Sequence, residues 1–333
     1  MASPVPHRVA RRLLGVAAMF VSLAMVPVTH MALAADGLSA NAQDDAQRSV
    51  VNVVNFGADP QGVKDSAQAV KSAIAEVKTL SDAGTPSRLV FPQGTYQLYP
   101  ESAEVRELYV SNTVGADRRY KDKTIAILLE GVSDVIVDGQ GSHFQLHGQQ
   151  TTLAVIDSSS VQMQNFSTDW TTPRVVDITI VGKGTNEDGT QWQDLRIPDG
   201  YQLSTDGGKF TVSSENSPVT GTPYWTYDDL RSGRTSFIGQ TYSVANGSNT
   251  RSSARNTAIP FRQASDVAIT SPGHVRVTYA AGSTTPAELG TSYQIRTTTR
   301  DTPGFFIWQS KNTTLSNVDV GYQHGFGLVS QFK

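Results

Sequence analysis

The chain has 333 residues, no cysteine, a formal net charge of −3, 38% hydrophobic residues and 17% charged residues. Its 28 glycines and 15 prolines follow no period, which excludes collagen-like and low-complexity classes; the lack of cysteine excludes a disulfide scaffold, a Cys-ligated zinc site and a thiol nucleophile. The one long apolar run lies at the extreme N-terminus, so no later segment is a candidate membrane-spanning helix.

Arg8, Arg11 and Arg12 precede an apolar stretch from Leu13 to Val28, and Ala32-Leu33-Ala34 supplies the small residues a signal peptidase takes. This order predicts a signal peptide over 1–34, cleaved after Ala34, and a secreted, extracellular protein with no membrane association once the leader is gone. The other reading is an N-terminal anchor, against which Pro27 and the short apolar run argue. The Arg11-Arg12 pair leaves Sec and twin-arginine export both open. Cleavage leaves 299 residues and 24 basic against 30 acidic groups, a net −6. A mildly acidic surface argues against nucleic acid as a partner. Residues 35–49, with Asp44-Asp45 among small polar residues, read as a flexible lead-in.

Val50–Val54 is a short β-branched strand, and Asn55–Gly62 carries turn chemistry. A helix is predicted from Asp65 to Val77. Asp65 or Ser66 can cap it, and Val70, Ile74 and Val77 form one apolar stripe. Leu89–Tyr96 reads as strand, turn, strand. From Thr124 onward short strands dominate: Ile125–Leu129, Val135–Val137, His143–Leu146, Leu153–Ile156 and Val161–Phe166. Polar or glycine corners separate them at Glu130–Asp134, Asp138–Ser142 and Asp157–Ser160. Val135-Ile136-Val137 aligns with Val161-Gln162-Met163 at an offset of 26, and Thr313-Thr314-Leu315 repeats the pattern after Ser310-Lys311-Asn312.

Such a period, with polar corners and inward aliphatics, predicts an all-β fold: a parallel β-helix (solenoid) whose first coil is capped by the N-terminal helix. A sandwich or barrel also places short strands at 8–12-residue spacing and is the competing architecture. From about 183 to 299 the echo fades and Gly, Ser and Thr rise. Lys209–Val212 and His274–Tyr279 read there as antiparallel strands of an inserted β-barrel-like domain, with aromatics at Tyr224–Tyr227. Ser265–Ile269 looks like a coil motif within that region. The predicted organisation is 1–34 leader, 35–49 lead-in, 50–182 cap and first coils, 183–299 insert, and 300–333 resumed β-helix.

Metal ligation has little support. Outside the leader only His143, His147, His274 and His324 remain, and four residues on a strand separate His143 from His147 by about 13 Å. No Gly-rich phosphate loop and no Gly-x-Ser-x-Gly elbow occurs. Carboxylates beside aromatics are more informative, because sugars present apolar faces to rings and hydroxyls to Asp, Asn, Gln and Arg. Asp169-Trp170 ends one strand segment, Arg300-Asp301 stands where the coil pattern resumes, and His324 and Gln331 follow one coil later. These six are the candidate substrate-binding residues, conditional on their sharing a face.

Asn55-Phe56-Gly57-Ala58 with the turn and helix resembles the N-terminal cap of pectate-lyase-like right-handed β-helix proteins. Phe91–Tyr96, Tyr109–Thr113, Ile136–Ser142, Asn165–Trp170 and Arg300–Ile307 resemble glycoside hydrolase family 110, the exo-acting α-1,3-galactosidases. The resemblance implies removal of terminal α-linked galactose, including from blood-group-B-type glycans, with inversion and no cofactor or metal. Inversion needs a general acid and a general base roughly 6.5–9.5 Å apart, leaving room for a water.

In that family the coils continue beyond the segment matching Gly321–Gln331, and the resemblance places the catalytic aspartates beyond Lys333. Asp169 and Asp301 are therefore expected to shape a sugar site rather than to act as acid or base, with Trp170 as a stacking wall and Arg300 as a donor to hydroxyls. The expectation is an N-terminal portion with little activity and an uncapped, poorly soluble coil edge at Leu328–Phe332. The partner is a glycan with terminal α-galactose, branched and linear forms both admitted, and the oligomeric state is left open. Two other readings stand beside this one: a noncatalytic glycan-binding surface protein on the same framework, and a polysaccharide lyase. A lyase needs a base near a uronate, usually with calcium, and the acidic corners lack calcium-loop spacing.

Overall fold

A computed structural model describes residues 47–110, 122–174, 176–205, 210–224, 235–238, 241–243, 248–250, 264–283, 289–297 and 302–331. The predicted leader, most of the lead-in, Arg300 and Asp301 lie outside them. The described chain is mostly strand, with one α-helix.

β1 (Ser49–Asn52) and β2 (Gln61–Asp65) lead into helix α1 (Ala67–Asp82), followed by β3 (Ser87–Val90), β4 (Thr95–Leu98) and β5 (Glu104–Glu107). The cap falls to Asp65, whose Oδ1 accepts the Ala67 N–H at 2.9 Å, while Ser66 Oγ instead accepts from the Asp59 N–H at 2.9 Å. Val70 and Val77 of the predicted stripe are fully buried and Ile74 partly so. Gly84, at φ +71°, ends the helix: its N–H donates to Ser81 O at 2.9 Å and the Thr85 N–H to Leu80 O at 2.9 Å.

Next come β6 (Asp122–Glu130), β7 (Ser133–Leu146), β8 (Thr151–Ile156) and β9 (Ser159–Trp170). β7 pairs β9 in parallel, Val135 opposite Val161 and Val137 opposite Met163, so the 26-residue offset in the sequence is the register of this ladder. β6 pairs β8 at the same offset, Ile127 opposite Leu153.

β10 (Val176–Thr185) then opens an antiparallel region. It continues through β11 (Gln191–Arg196), the hairpin β12 (Gln202–Ser204) with β13 (Thr211–Ser213), and β14 (Thr235–Ile238). The hairpin β15 (Thr241–Ser243) with β16 (Ser248–Thr250) follows, then β17 (Asp266–Ser271), β18 (His274–Tyr279) and β19 (Ser292–Thr297). Six of these form one sheet in the order β14-β19-β10-β11-β18-β17. It has its own core of Val176, Ile178, Ile180, Leu195, Val275, Val277 and Tyr279. The predicted strand at His274–Tyr279 is β18, and Thr211 and Val212 of the other prediction lie in β13. Ser265–Ile269 is corrected: it enters β17, antiparallel to β18 with Val267 opposite Val277. The two-residue turn Pro272-Gly273, with Gly273 at φ +71°, reverses the chain and fixes that pairing.

β20 (Phe305–Trp308), β21 (Lys311–Val320) and β22 (Leu328–Gln331) return to the parallel ladders. Phe305 sits opposite Leu153 and Leu328, and Thr313 opposite Val161. The backbone repeats along with the pairing. Gly131, Asp157 and Gln309 are left-handed, as are Asp134, Ser160 and Asn312, and as are Asn165 and Asn317. Each column steps by 26 residues or by 152, and the longer step contains the antiparallel sheet. In the core Phe91, Phe144, Phe166 and Phe305 form a row with successive centroids 4.7, 4.8 and 6.3 Å apart, the first pair tilted and the other two stacked.

Candidate functional site

Buried polar side chains concentrate where the strands of the first parallel sheet end. The turns after β4, β7, β9 and β21 are tied together here: His147 N–H donates to Leu98 O at 3.1 Å, Thr171 N–H to Leu146 O at 3.0 Å and Gly321 N–H to Thr168 O at 2.8 Å. Buried His147, Gln150, Thr151, Thr152, Thr302 and His324 all belong to this corner or its immediate flank. The antiparallel sheet also leaves the ladder from here. A ladder of aliphatic strands has no structural need for two buried histidines, so this is where a function is to be sought.

The first histidine is fully partnered. His147 lies flat on Tyr99, with centroids 3.8 Å apart and planes 9° from parallel. Its Nδ1 is 2.5 Å from Glu215 Oε2 and 3.2 Å from Thr171 Oγ1, and its Nε2 is 2.5 Å from Gln97 Oε1. The other oxygen of Glu215 accepts the Gly148 N–H at 3.3 Å. Nearby, Glu101 accepts from Tyr224 OH at 2.7 Å and from Ser217 Oγ. Gly148 makes room for this contact, since a Cβ there would come within 3.0 Å of the Tyr224 ring and of Pro100. Burial first, then the charges of Glu215, Asp65 and Glu101, pushes the Tyr99 hydroxyl pKa up. Tyr224 is raised by burial and by its bond to Glu101.

The second histidine has no hydrogen-bond partner among the described residues. His324 packs on the Trp170 ring at 4.4 Å, and neither Nδ1 nor Nε2 has a hydrogen-bond partner. Trp170 Nε1 and Gln323 Oε1 are likewise buried and unbonded. Each such atom costs about 1–3 kcal/mol relative to hydration. Burial, then the Arg174 charge, holds the His324 pKa well below the ordinary histidine value, so the ring is neutral at pH 7. In the loop Gly321–Gly327 that carries it, and at the facing Gly304, space is tight at particular glycines. A Cβ on Gly321 would meet the Asp169 carboxylate at 2.6 Å, and one on Gly304 would overlap the Gln323 amide.

Compared with known proteins, the chain is 42% identical over 288 residues to the protein named alpha-1,3-galactosidase A of Peterkaempfera griseoplana, covering 86% of this chain and 38% of that one. The chain is a relative of the α-1,3-galactosidases. It is also 41% identical over 283 residues to alpha-1,3-galactosidase A of Streptomyces avermitilis, with 85% of this chain and 43% of that one covered. For alpha-1,3-galactosidase A of Bacteroides fragilis the identity is 31% over 292 residues, covering 86% and 42%. The chain thus spans about two fifths of the length of these galactosidases. No family model matches it.

Within this galactosidase relative, three of the six sequence-named residues meet at the corner. Asp169 Oδ1 accepts the Trp170 N–H at 2.8 Å and the Tyr322 N–H at 2.9 Å, and Trp170 touches His324. Trp170 is only 4% exposed, so its ring faces His324 and the hydrophobic core rather than solvent. Gln331 is elsewhere: it lies in β22 and its Nε2 donates to Tyr109 O at 2.5 Å. Arg300 and Asp301 are outside the described residues. Sequence reasoning missed Tyr99, Glu101, His147 as a site residue, and Glu215. Among the described residues no group of three His, Asp or Glu side chains is placed to hold a metal ion.

Proposed function

We propose that this chain is part of a secreted glycoside hydrolase that removes terminal α-1,3-linked galactose from glycans with inversion, and that the corner around Trp170 contributes to its sugar site. The observation carrying this reading is the 42% identity, over 86% of the chain, to a protein named alpha-1,3-galactosidase A. The parallel ladders are taken as coils of a right-handed β-helix capped by α1, the hand that parallel crossovers follow. The antiparallel sheet from Val176 to Thr297 is taken as an insert between the coil of β8 and β9 and the coil of β20 and β21. Asp169 is assigned to shaping the site rather than to acid or base chemistry, a reading supported by its Oδ1 accepting two backbone N–H groups.

The test is release of galactose from an α-1,3-galactosyl disaccharide by the full-length protein, with the anomer of the first product read by proton NMR. β-Galactose as the first product supports the reading. α-Galactose overturns inversion, and no release combined with measurable affinity makes it a noncatalytic glycan binder.

A further inference from the structure

We propose that His324 is a displaceable plug: the strap Gly321–Gly327 lifts, the imidazole leaves the Trp170 ring, and a terminal galactosyl ring takes its place. The proposal rests on the glycan reading above and adds how that site is closed.

Geometry carries it. The His324 ring packs against Trp170 at 4.4 Å with the planes tilted by 41°, and among the described residues four buried polar atoms of this segment have no hydrogen-bond partner: both His324 nitrogens, Trp170 Nε1 and Gln323 Oε1. A permanent core contact would be served better by an apolar residue, because buried polar groups without partners oppose closure. A pyranose in the same place would lay its apolar C–H face on the indole and offer hydroxyls that accept from Trp170 Nε1 and donate to Gln323 Oε1.

The strap is also held in a way that allows it to move. Its ends are pinned through the Gly321 N–H to Thr168 O, the Tyr322 N–H to Asp169 Oδ1, and Phe326 O and Gly327 O accepting from the N–H groups of Gly304 and Phe305. Between them, among the described residues, Gln323, His324 and Gly325 make no hydrogen bond to the rest of the protein; the Gln323 amide donates only to Gly321 O at 3.2 Å within the strap. Three residues held by packing alone, between fixed ends, are a local opening unit.

The experiment uses hydrogen exchange and binding of methyl α-D-galactopyranoside by the full chain. The amides of Gln323, His324 and Gly325 and the Trp170 indole N–H should exchange at least about tenfold faster than the amides of β9. The sugar should slow the indole exchange, while methyl α-D-glucopyranoside should not. Because closure lowers apparent affinity by the plugged fraction, His324→Gly should tighten galactoside binding by about tenfold and His324→Leu weaken it by about tenfold.

A strap as protected as β9, or Gly and Leu variants that shift affinity in the same direction, overturns the plug. A strap that opens in a protein with no galactoside affinity sustains the plug but overturns its galactosyl occupant, together with the reading on which it rests. If His324→Gly fails to fold, exchange in the unaltered chain and His324→Leu still decide the matter.

Discussion

Asn317 Nδ2 donates to Asn165 Oδ1 across 3.0 Å, linking β21 to β9 outside the backbone ladder. The column continues, because Asn165 Nδ2 donates to Asp138 Oδ1 at 3.1 Å and Asp138 Oδ2 accepts from Arg88 at 3.2 Å. Asn165 and Asn317 both have positive φ, 60° and 51°, where asparagine is tolerated far better than most residues. Asn165→Ala should lose both side-chain bonds and strain the backbone, costing about 2 kcal/mol in a urea unfolding midpoint. Asn165→Gly should cost about 1 kcal/mol, since it loses the bonds and relieves the strain. Equal losses for the two variants would show that the backbone conformation contributes nothing.

At the bend of β7, Gly139 faces β9 with no space to spare. A Cβ there would lie 2.5 Å from Phe166 Cβ and 2.6 Å from Asn165 O, and neither can swing aside. Gly139→Ala should cost about 1–3 kcal/mol by overpacking. Gly57→Ala is the contrasting case, with nothing within 4 Å and only its φ of 101° to strain. A thermal-melt comparison separates close approach from backbone conformation.

Much of the ladder was legible because parallel strands paired at a constant offset write their register into the sequence: the offset of Val135 from Val161 is the pairing itself. The strand at His274–Tyr279 was legible through simple alternation, which leaves Val275, Val277 and Tyr279 inward. The coil-like look of Ser265–Ile269 misled because a short alternating strand carries no mark of its partner's direction. At the site, a shared face was the condition set on the candidates. Asp169 and Trp170 are consecutive on a strand, so one must face out when the other faces in, and that alternation was available in the sequence. Glu215 could not have been found, since nothing local ties it to His147 across 68 positions. The missing partners of His324 are visible only when its surroundings are.

Burial of neutral His324 makes stability depend on pH in a definite direction. Its folded pKa lies well below the ordinary value because of burial, reinforced by Arg174. An unfolded chain protonates this residue below about pH 6.5, so the unfolded state binds more protons there and stability falls as pH drops. The contribution is complete above the unfolded pKa and erodes downward until the folded pKa is reached. Its slope approaches about 1.4 kcal/mol per pH unit below pH 6. Asp169 sits on the opposite side of β9 and Tyr322 points to solvent, leaving Arg174 as the charge that bears on the ring. His324→Leu should flatten the profile between pH 7 and pH 5 relative to the unaltered chain, measured by denaturant midpoints in matched buffers. Parallel profiles would mean that the ring protonates in place.

Glu215 joins the antiparallel part of the chain to the corner, and its removal should be felt on both sides. Glu215→Ala takes the acceptor from the Gly148 N–H and leaves His147 Nδ1 with Thr171 Oγ1 alone, a loss of about 1–3 kcal/mol. Glu215→Gln keeps one accepting oxygen for two donors and should lose roughly half as much. His147→Phe keeps a ring on Tyr99 while removing the bonds, so the double variant His147→Phe/Glu215→Ala isolates the pair. A coupling of about 1 kcal/mol or more is expected from a double-mutant cycle. Hydrogen exchange should rise in Ser214–Tyr224, whose contacts with Glu101 and Gly148 depend on this join, and stay unchanged in β10, β11 and β18. Zero coupling with unchanged exchange in Ser214–Tyr224 would mean that the segment is held through Tyr224 and Glu101 instead, and Tyr224→Phe would then carry the larger loss.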